Sequence, residues 1–392
     1  MGEVLSNSSE VRKILFIIPN LTFGGIQTQV VLLANYLAKN GFRITIIGLF
    51  SKDQKFIDNI QSSQIEVVYS PNEGKRIREY NRLIFFRKIN FWIDLIKWLR
   101  SFRPTVILPY TSKIDLFINV VWRLSGAKLS FSFERGGHTN PEKESSSWMR
   151  SMRKLSAPVY VANSQHGALA MSIMRDIPLG KIKVIKNSLD LNRIQRSEPL
   201  PNFFKQINDK EFVFLMVANF FNEKDHIFLL KAWERASLKG AFLIIYGLGK
   251  GSECLQNFEK ARTFIKREKL QNVILAGSRI PSKEVFVRAN VGVISSVTEG
   301  CPNVVMEYMY FGLPVLSRRI PGVEELVSSS NVKLLSSIDS ISDYAEKLLW
   351  CVENPENLTA IGKSNERKAK EEFVNEQMQL EYLEVFSEHR VL

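Results

Sequence analysis

The residues with the clearest chemical capability lie at positions 295–325, in the sequence SSVTEGCPNVVMEYMYFGLPVLSRRIPGVEE. The pattern predicts a strand that ends at Ser296, a turn containing glycine and proline, and a helix that begins near Asn303 with Asn303 as its cap. The free N–H groups and positive dipole end of a helix start form a site for a phosphate. Glu307, on the first turns of the helix, is placed to hold a ribose diol, and Glu299, before the helix, is placed to hold a sugar. The layout predicts a diphosphate between two carboxylates.

Short strands alternate with helical patterns over most of the chain. In the first half, strands are predicted at residues 13–18, 43–49, 65–68, 105–108, 128–133, 159–162 and 182–185. The pattern restarts at Phe212 with the runs FVFLMV, AFLIIYG, NVILAG, VGVISS and LPVLS. Such alternation is typical of a parallel sheet covered by helices on both faces. We therefore expect an α/β fold with two facing doubly wound domains, whose ligands bind in the cleft beyond the carboxyl ends of the strands.

The composition of the region between the two predicted domains is typical of a linker. Residues 196–209 contain two prolines and several polar residues, a composition typical of connecting segments. The expected domains are residues 1–198 and residues 199–374, with a C-terminal helix at about 375–392 that packs back on the first domain.

The composition of the 392 residues is close to ordinary globular usage, with 45% hydrophobic and 24% charged residues, and excludes a disordered or collagen-like chain. The apolar runs are too short for a membrane-spanning helix, and the N-terminal MGEVLSNSSEVRK lacks the apolar centre of a secretory signal. The three cysteines have neither the number for a disulfide framework nor the spacing of metal ligands. A cytoplasmic protein without a bound metal is expected.

The charge balance favours anionic partners. The chain has 53 Lys and Arg against 40 Asp and Glu, a formal net charge of +13, which suits nucleic acid, an acidic membrane leaflet or phosphorylated small molecules. Nine of these basic residues lie at positions 75–103, against two acidic ones. The same segment has two apolar faces at helical spacing. The first, which is expected to meet the sheet, comprises Phe85, Ile89, Trp92, Ile96 and Leu99.

The second apolar flank of residues 75–103 comprises Ile84, Phe91, Leu95 and Trp98. A helix that covers a sheet with one face does not need a second apolar flank. We interpret this flank, with its basic neighbours, as a surface that dips into an anionic leaflet. The alternative is that the flank packs against neighbouring loops.

Several stretches resemble glycosyltransferase family 4. Glu299 and Glu307, with seven residues between them, and the following FGLPVLSRRIPGVEELV are similar to the donor-site signature of that family. The segment PNLTFGGIQTQVVLLANYLAKNGFRITIIGL resembles its first strand, glycine loop and helix. VYVANSQHGALAMS and KVIKNSLDL resemble the end of its first domain, and VANFFNEKDHIFLLKAW and IIYGLGKGSE the opening of its second. The resemblance implies the GT-B architecture, two facing Rossmann-like domains with a cleft between them.

The resemblance implies a role for each matching residue. The catalytic residues implied are Glu299, which contacts the transferred sugar, Lys224, which neutralises the diphosphate leaving group, and His138, beside the sugar. The remaining donor-binding positions are the glycine loop (Gly24 and Gly25), the loop around phosphate and sugar (Gly300, Cys301, Pro302, Asn303 and Val304), the ribose ligand (Glu307), the nucleobase segment (Gly277, Arg279 and Ile280), and Asn219 before the lysine.

One departure from the family pattern concerns the diphosphate. Many relatives carry an arginine a few residues before the lysine that matches Lys224, whereas this chain reads ANFFNEK, with Asn219 or a following phenylalanine in that region. Either Lys224 acts with helix dipoles alone, or another base such as Arg279 or Arg318 substitutes.

The resemblance further implies a retaining, metal-independent transferase without a cofactor. Its donor would be a nucleotide diphosphate sugar, with UDP the commoner choice in the family. Its acceptor would be a lipid-linked or polysaccharide glycan of the cell surface, such as lipopolysaccharide or capsule, reached from the inner face of the membrane. The alternatives are a sugar-nucleotide epimerase or phosphorylase of the same fold, or a basic nucleic-acid-binding protein. The last lacks a recognition motif, so no nucleic-acid partner is expected.

Overall fold

The computed structural model describes residues 12–58, 60, 64–72, 75, 88–110, 112–137, 141–142, 147–249, 251–278, 280–374 and 376–392. These residues form two compact units. Unit 1 contains the described residues up to Arg135, those from 141 to Ser188, and Glu376–Leu392. Unit 2 contains those from Leu189 to 374, together with Gly136 and Gly137.

Unit 1 has a seven-stranded sheet with helices between the strands. Its strands are β1 (Lys13–Leu21), β2 (Arg43–Lys52), β3 (Ile65–Tyr69), β4 (Val106–Pro109), β5 (Leu129–Glu134), β6 (Val159–Ala162) and β7 (Ile182–Val184). Its helices are α1 (Gly25–Lys39), α2 (Gln54–Asp58), α3 (Lys88–Phe102), α4 (Ser112–Val121), α5 (Ser147–Ser156) and α6 (Gln165–Arg175), with 3₁₀ turns at Trp122–Ser125 and Leu179–Lys181.

Unit 2 has a six-stranded sheet. Its strands are β8 (Phe212–Val217), β9 (Ala241–Tyr246), β10 (Val273–Gly277), β11 (Val291–Ile294), β12 (Val315–Arg318) and β13 (Leu335–Ser336). Its helices are α7 (Leu191–Ile194), α8 (His226–Ala236), α9 (Ser252–Arg267), α10 (Lys283–Arg288), α11 (Asn303–Tyr310), α12 (Pro321–Glu324), α13 (Ile341–Glu353) and α14 (Pro355–Glu372), with 3₁₀ turns at Asn202–Gln206, Asn222–Lys224 and Ser329–Leu334. The last helix of the chain, α15 (Gln377–Glu388), clusters with unit 1.

Both sheets are parallel and doubly wound. The strand order is β3-β2-β1-β4-β5-β6-β7 in unit 1 and β10-β9-β8-β11-β12-β13 in unit 2. The paired strands run parallel, with β1 beside β4 and β8 beside β11 at the points where the order reverses. The predicted fold class is thereby confirmed for each unit. The two-residue β13 is absent from the predicted strands because so short a strand has no periodic signal.

The near-continuous apolar sequence of the strands reflects burial on both faces. In β8, Phe214 and Met216 belong to one core layer, whereas Val213 and Leu215 belong to the layer on the opposite face. The same alternation along β1 separates the core of unit 1 into two layers, one on each face of the sheet. Side chains at 14, 16 and 18 pack in a layer that includes residues of α15, and those at 15 and 17 in a layer that includes residues of α3. Helices therefore cover both faces of each sheet.

The end of unit 1 lies earlier in the sequence than the expected boundary at 198. The division falls between Ser188 and Leu189. Leu189 and Ile194 are buried in unit 2, as are Phe204 and Ile207 from the predicted linker. The segment is therefore a packed part of unit 2, because its few apolar side chains are sufficient to attach it to that core.

The interpretation of the second flank of α3 as a membrane-facing surface is wrong for the flank residues that the structure describes. Phe91 and Leu95 are buried in the core of unit 1 beside Leu99, and Trp98 packs against the same cluster. Ile84 lies outside the described residues. The alternative, packing within the protein, is what the structure shows, because this helix lies against more than one neighbouring element. Within the described segments, every helix falls short of the length and apolarity needed to cross a membrane.

Candidate active site

The candidate site lies where the strand order of unit 2 reverses. The neighbouring strands β8 and β11 end side by side, and the chain leaves them towards Lys224 and Glu299 respectively. Ligands of doubly wound sheets bind at this position, beyond the carboxyl ends of the strands. Two residues 75 positions apart in sequence are thus brought to one point.

Lys224 and Glu299 form a partly buried ion pair. The Lys224 ammonium nitrogen lies 2.5 Å from Glu299 Oε1. The hydroxyl of Ser296 donates a hydrogen bond of 2.7 Å to the same carboxylate oxygen. Hydrogen bonds between ionised groups are about twice as strong as neutral ones. The arrangement presents a cation and a carboxylate, both held in place, beyond the carboxyl ends of β8 and β11.

The loop that carries Glu299 fits between two glycines of unit 2. A Cβ atom on Gly322 would lie 2.2 Å from the carbonyl oxygen of Glu299 and 2.4 Å from that of Gly300. A Cβ atom on Gly137 would lie 2.3 Å from the same Glu299 oxygen, and the Thr298 hydroxyl donates a hydrogen bond to the Gly137 carbonyl. Any side chain at either glycine would displace the backbone of the loop.

Helix α11 follows this loop and is fixed to the sheet by Tyr308. The Tyr308 hydroxyl accepts a hydrogen bond of 2.9 Å from the Val217 N–H, and its ring lies against Gly292, where a Cβ would be 2.3 Å away. The prediction that Asn303 caps this helix is wrong. Pro302 occupies the cap position without a side-chain cap bond, and Asn303 is the first helical residue, because the proline lacks an N–H and suits the start of a helix.

Glu307 is buried and paired with Arg193. Its carboxylate, whose side chain is 4% exposed, forms an ion pair with the guanidinium of Arg193 at α7. A carboxylate withdrawn from water to this extent requires a compensating charge. Sequence reasoning missed Arg193, because it lies 114 positions away and no local pattern marks it.

Asn219, one of the residues in the region where many relatives carry an arginine, is exposed two positions after the end of β8. The next residue, Phe220, is buried and stacks on His226 with ring centroids 3.8 Å apart. Burial, together with the nearby Lys224 cation, lowers the pKa of His226 to about 4. The imidazole is therefore neutral near pH 7 and adds no charge to the site.

The other predicted site residues are more scattered. Gly300, Cys301 and Pro302 are buried in the loop before α11, and Val304 is partly buried within it. Gly277, which ends β10, and Ile280 lie at the far edge of the same sheet, two strands from β8. Gly24 and Gly25 lie at the start of α1 in unit 1. His138 and Arg279 lie outside the described residues. Across the part of the chain that the structure describes, no group of three or more His, Cys, Asp or Glu side chains could hold a metal ion.

Two protein families match the chain. Residues 23–193 match the family described as Glycosyltransferase Family 4, and residues 201–368 match the family described as Glycosyl transferases group 1. Together the two matches span most of the chain, and each corresponds closely to one of the two units.

Two curated relatives are similar over most of their length. An uncharacterized glycosyltransferase of Methanocaldococcus jannaschii is 24% identical over 306 residues, which is 70% of this chain and 74% of the relative. An uncharacterized glycosyltransferase of Haemophilus influenzae is 24% identical over 351 residues, 88% of this chain and 92% of the relative.

Several solved structures share the fold. HepE of Anabaena, solved in complex with UDP and glucose, has a TM-score of 0.75 at 17% identity, covering 96% of this chain and 100% of that one. A glycosyltransferase of Rickettsia africae has a TM-score of 0.79 at 14% identity, covering 97% and 98%. WaaG, a glycosyltransferase involved in lipopolysaccharide biosynthesis, has a TM-score of 0.67 at 14% identity, covering 94% and 98%.

The Arg193–Glu307 pair leads to a stability prediction. Replacing Arg193 by Met keeps most of the aliphatic stem but leaves the buried Glu307 carboxylate without its partner, and we expect a loss of about 3 kcal/mol in the free energy of unfolding. Urea unfolding measures this loss. The double variant Arg193→Met/Glu307→Gln should recover most of it, because no unpaired charge remains.

The matched control is Arg196→Met. Arg196 is largely exposed and pairs with an exposed glutamate, so its loss should change the stability by less than about 1 kcal/mol. Equal effects of Arg193→Met and Arg196→Met would show that the buried pair does not stabilise the protein.

Proposed function

The chain belongs to the GT-B glycosyltransferases, with a Glycosyltransferase Family 4 region followed by a Glycosyl transferases group 1 region, and on that premise we propose that it transfers a sugar from a UDP-sugar with retention of anomeric configuration. The acceptor is a lipid-linked or polysaccharide glycan of the cell surface, and no metal takes part. The epimerase and phosphorylase alternatives are set aside, because both regions belong to glycosyltransferase families. The absence of a nucleic-acid partner stays a prediction.

The observation that carries the proposal is the Lys224–Glu299 pair at the point where the strand order of unit 2 reverses, between β8 and β11. A diphosphate carries more negative charge than one carboxylate and therefore competes for the Lys224 ammonium. Once that ammonium turns to the diphosphate, Glu299 is free to accept hydrogen bonds from the hydroxyls of the sugar. Donor binding is thus an exchange of partners within a site that is already assembled.

In the proposed reaction, the bond between the anomeric carbon and the diphosphate oxygen breaks, and UDP leaves with the electron pair. The acceptor hydroxyl oxygen bonds to the anomeric carbon on the same face, and its proton passes to the leaving diphosphate. Lys224 and the N–H groups at the start of α11 stabilise the charge that develops on the leaving group. Fixed charges of this kind need no reorganisation during the reaction, which is why their prior placement favours catalysis.

The choice of UDP and of a glycan acceptor is supported by proteins of the same fold. HepE was solved with UDP and glucose, and WaaG acts in lipopolysaccharide biosynthesis. Both share the fold at low identity, so the donor base and the acceptor class of this chain stay proposals that binding and product analysis must test.

A panel of nucleotide sugars tests the donor site. At a UDP-sugar concentration one hundred times its dissociation constant, the wild-type protein should gain about 2.7 kcal/mol of stability, seen as a raised melting temperature. Lys224→Met should lose most of this gain, as should Glu307→Gln. Lys231→Met, which removes an exposed lysine on α8, should respond as the wild type does. A wild-type protein that responds to no nucleotide sugar contradicts the donor assignment.

Product analysis tests the stereochemistry and the independence from metal. With the donor identified by the panel, the anomeric proton coupling of the product should show the same configuration as in the donor sugar. Turnover should be unchanged by EDTA, because Lys224 supplies the positive charge beside the diphosphate. An inverted product, or activity lost in EDTA and restored by a divalent cation, would refute the corresponding part of the proposal.

We further propose that unit 1 meets an anionic membrane surface near the end of α3. Arg100 Nε donates a hydrogen bond of 2.8 Å to the carbonyl of Leu124, and Arg123 Nε donates one of 2.7 Å to the carbonyl of Ser156. The side chains of Leu124 and Leu155 are 55% and 76% exposed. Exposed leucines among arginines suit an interface with apolar tails and anionic headgroups. These residues replace the buried flank of α3 as the contact, and the protein would act as a peripheral enzyme on the cytoplasmic side.

Vesicle co-sedimentation tests this surface. The protein should bind phosphatidylglycerol vesicles more strongly than phosphatidylcholine vesicles, and less strongly at high salt, because the attraction is electrostatic. The double variant Leu124→Ser/Leu155→Ser should bind less. Leu255→Ser, at a similarly exposed leucine of unit 2, is the matched control and should bind as the wild type does. Equal binding to both lipids, or binding to neither, refutes the proposal.

A further inference from the structure

Arg318 is a buried cation at the carboxyl end of β12. Its side chain is 4% exposed, although a guanidinium withdrawn from water is costly unless it is well paired. One guanidinium nitrogen lies 3.1 Å from a carboxylate oxygen of Asp225, and another donates a hydrogen bond of 3.1 Å to the carbonyl of Ser295. Its central carbon lies 3.6 Å from the ring centroid of Phe228. Arg318 therefore joins the end of β11, the residue after Lys224 and the first turn of α8.

Asp225 transmits this contact to the lysine turn. It follows Lys224 directly and has a φ of 43°, in the left-handed region that is unfavourable for most L-residues but tolerated by Asp and Asn. One carboxylate oxygen accepts a hydrogen bond of 3.1 Å from the Phe228 N–H and so caps α8. The other oxygen pairs with Arg318. A single side chain thus fixes the backbone at the point where the turn becomes a helix.

The same turn is attached to the strand end on its other side. The Val297 N–H donates a hydrogen bond of 2.8 Å to the Glu223 carbonyl. The Ser295 hydroxyl donates one of 2.8 Å to the Lys224 carbonyl. The backbone around Lys224 is therefore held against the segment that leads to Glu299, and Arg318 closes this set of contacts because it binds both Ser295 and Asp225.

We propose that Arg318 is a positioning residue for Lys224. Through Asp225 it holds the lysine turn against the end of β11, so that the ammonium is fixed beside Glu299 before a donor arrives. Both terminal nitrogens of its enclosed guanidinium are bound to protein groups, so in this proposal it acts through the turn and not as a second cation on the diphosphate. The chain instead obtains a rigidly placed single cation. The catalytic consequence rests on the proposed function, whereas the structural consequence for the turn does not.

Hydrogen exchange of the donor-free, full-length protein tests the structural step. In Arg318→Gln, the amides of Val297 and Phe228 should exchange about tenfold faster or more, because local opening of the turn becomes easier. Arg319→Gln is the matched control, since Arg319 is half-exposed and pairs with an exposed glutamate, and it should leave these amides unchanged. Unchanged exchange in Arg318→Gln overturns the proposal.

Asp225→Asn provides the same test if Arg318→Gln does not fold. Asparagine tolerates the left-handed conformation and keeps an oxygen for the cap, but it lacks the charge that pairs with Arg318. The same two amides should exchange faster than in the wild type. Exchange as slow as in the wild type would contradict the role of the ion pair.

A double-mutant cycle with UDP tests the catalytic consequence. Arg318→Gln should weaken UDP binding about tenfold in the protein that has Lys224, and should have no further effect in the Lys224→Met background, because it acts through that lysine. Arg319→Gln should be neutral in both backgrounds. If the double variant loses as much UDP affinity as the product of the two single losses, Arg318 contacts the diphosphate directly. That result would refute a positioning role through Lys224. A wild-type protein that binds no UDP would refute the proposed function, while the exchange result would still decide whether Arg318 holds the turn.

Discussion

Lys224 and Glu299 meet because parallel strands end at one edge of a sheet and because β8 and β11 are neighbours at the point where the strand order reverses. The helices that follow these two strands pack on opposite faces, so the loops diverge and leave a crevice beyond the strand ends. A cation from one loop and a carboxylate from the other can then approach to 2.5 Å. The close packing of Gly322 and Gly137 on the Glu299 loop keeps that geometry, as does the hydrogen bond that the Tyr308 hydroxyl accepts from the Val217 N–H of β8.

The charged side chains beyond the carboxyl ends of the strands of unit 2 are arranged in pairs that join distant parts of the sequence. Lys224 pairs with Glu299, and Glu307 and Arg318 each have a partner from another segment. Burial of an unpaired charge costs several kcal/mol, so each partner is a requirement of the fold as well as of the site. Under the proposed function, a diphosphate donor enters by exchanging ionic partners, which limits the reorganisation that binding demands.

The predictions that failed have two physical causes. Periodicity identifies apolar side chains but does not say what covers them, so it does not reveal that the core of unit 1 buries Phe91 and Leu95. In the same way, the prolines of residues 196–209 are typical of a linker, although Phe204 and Ile207 attach the segment to unit 2. The assignment of Asn303 as a cap failed because the preceding proline already occupies that position.

The sequence by itself determined the alternation of strands and helices, the fold class of the two units, and the local patterns that single out Lys224, Glu299 and Glu307. The strands, the fold class and the two glutamates follow from short-range periodicity and from turn and helix-start residues, which act between neighbours along the chain. Lys224 is singled out only by the resemblance of its segment to glycosyltransferase family 4. Only the tertiary structure decided that Arg193 neutralises Glu307 and that Arg318 holds the turn of Lys224 through Asp225. The physical reason is that a buried charge selects its partner by proximity in space, and the strand order that creates this proximity is not written in any local pattern.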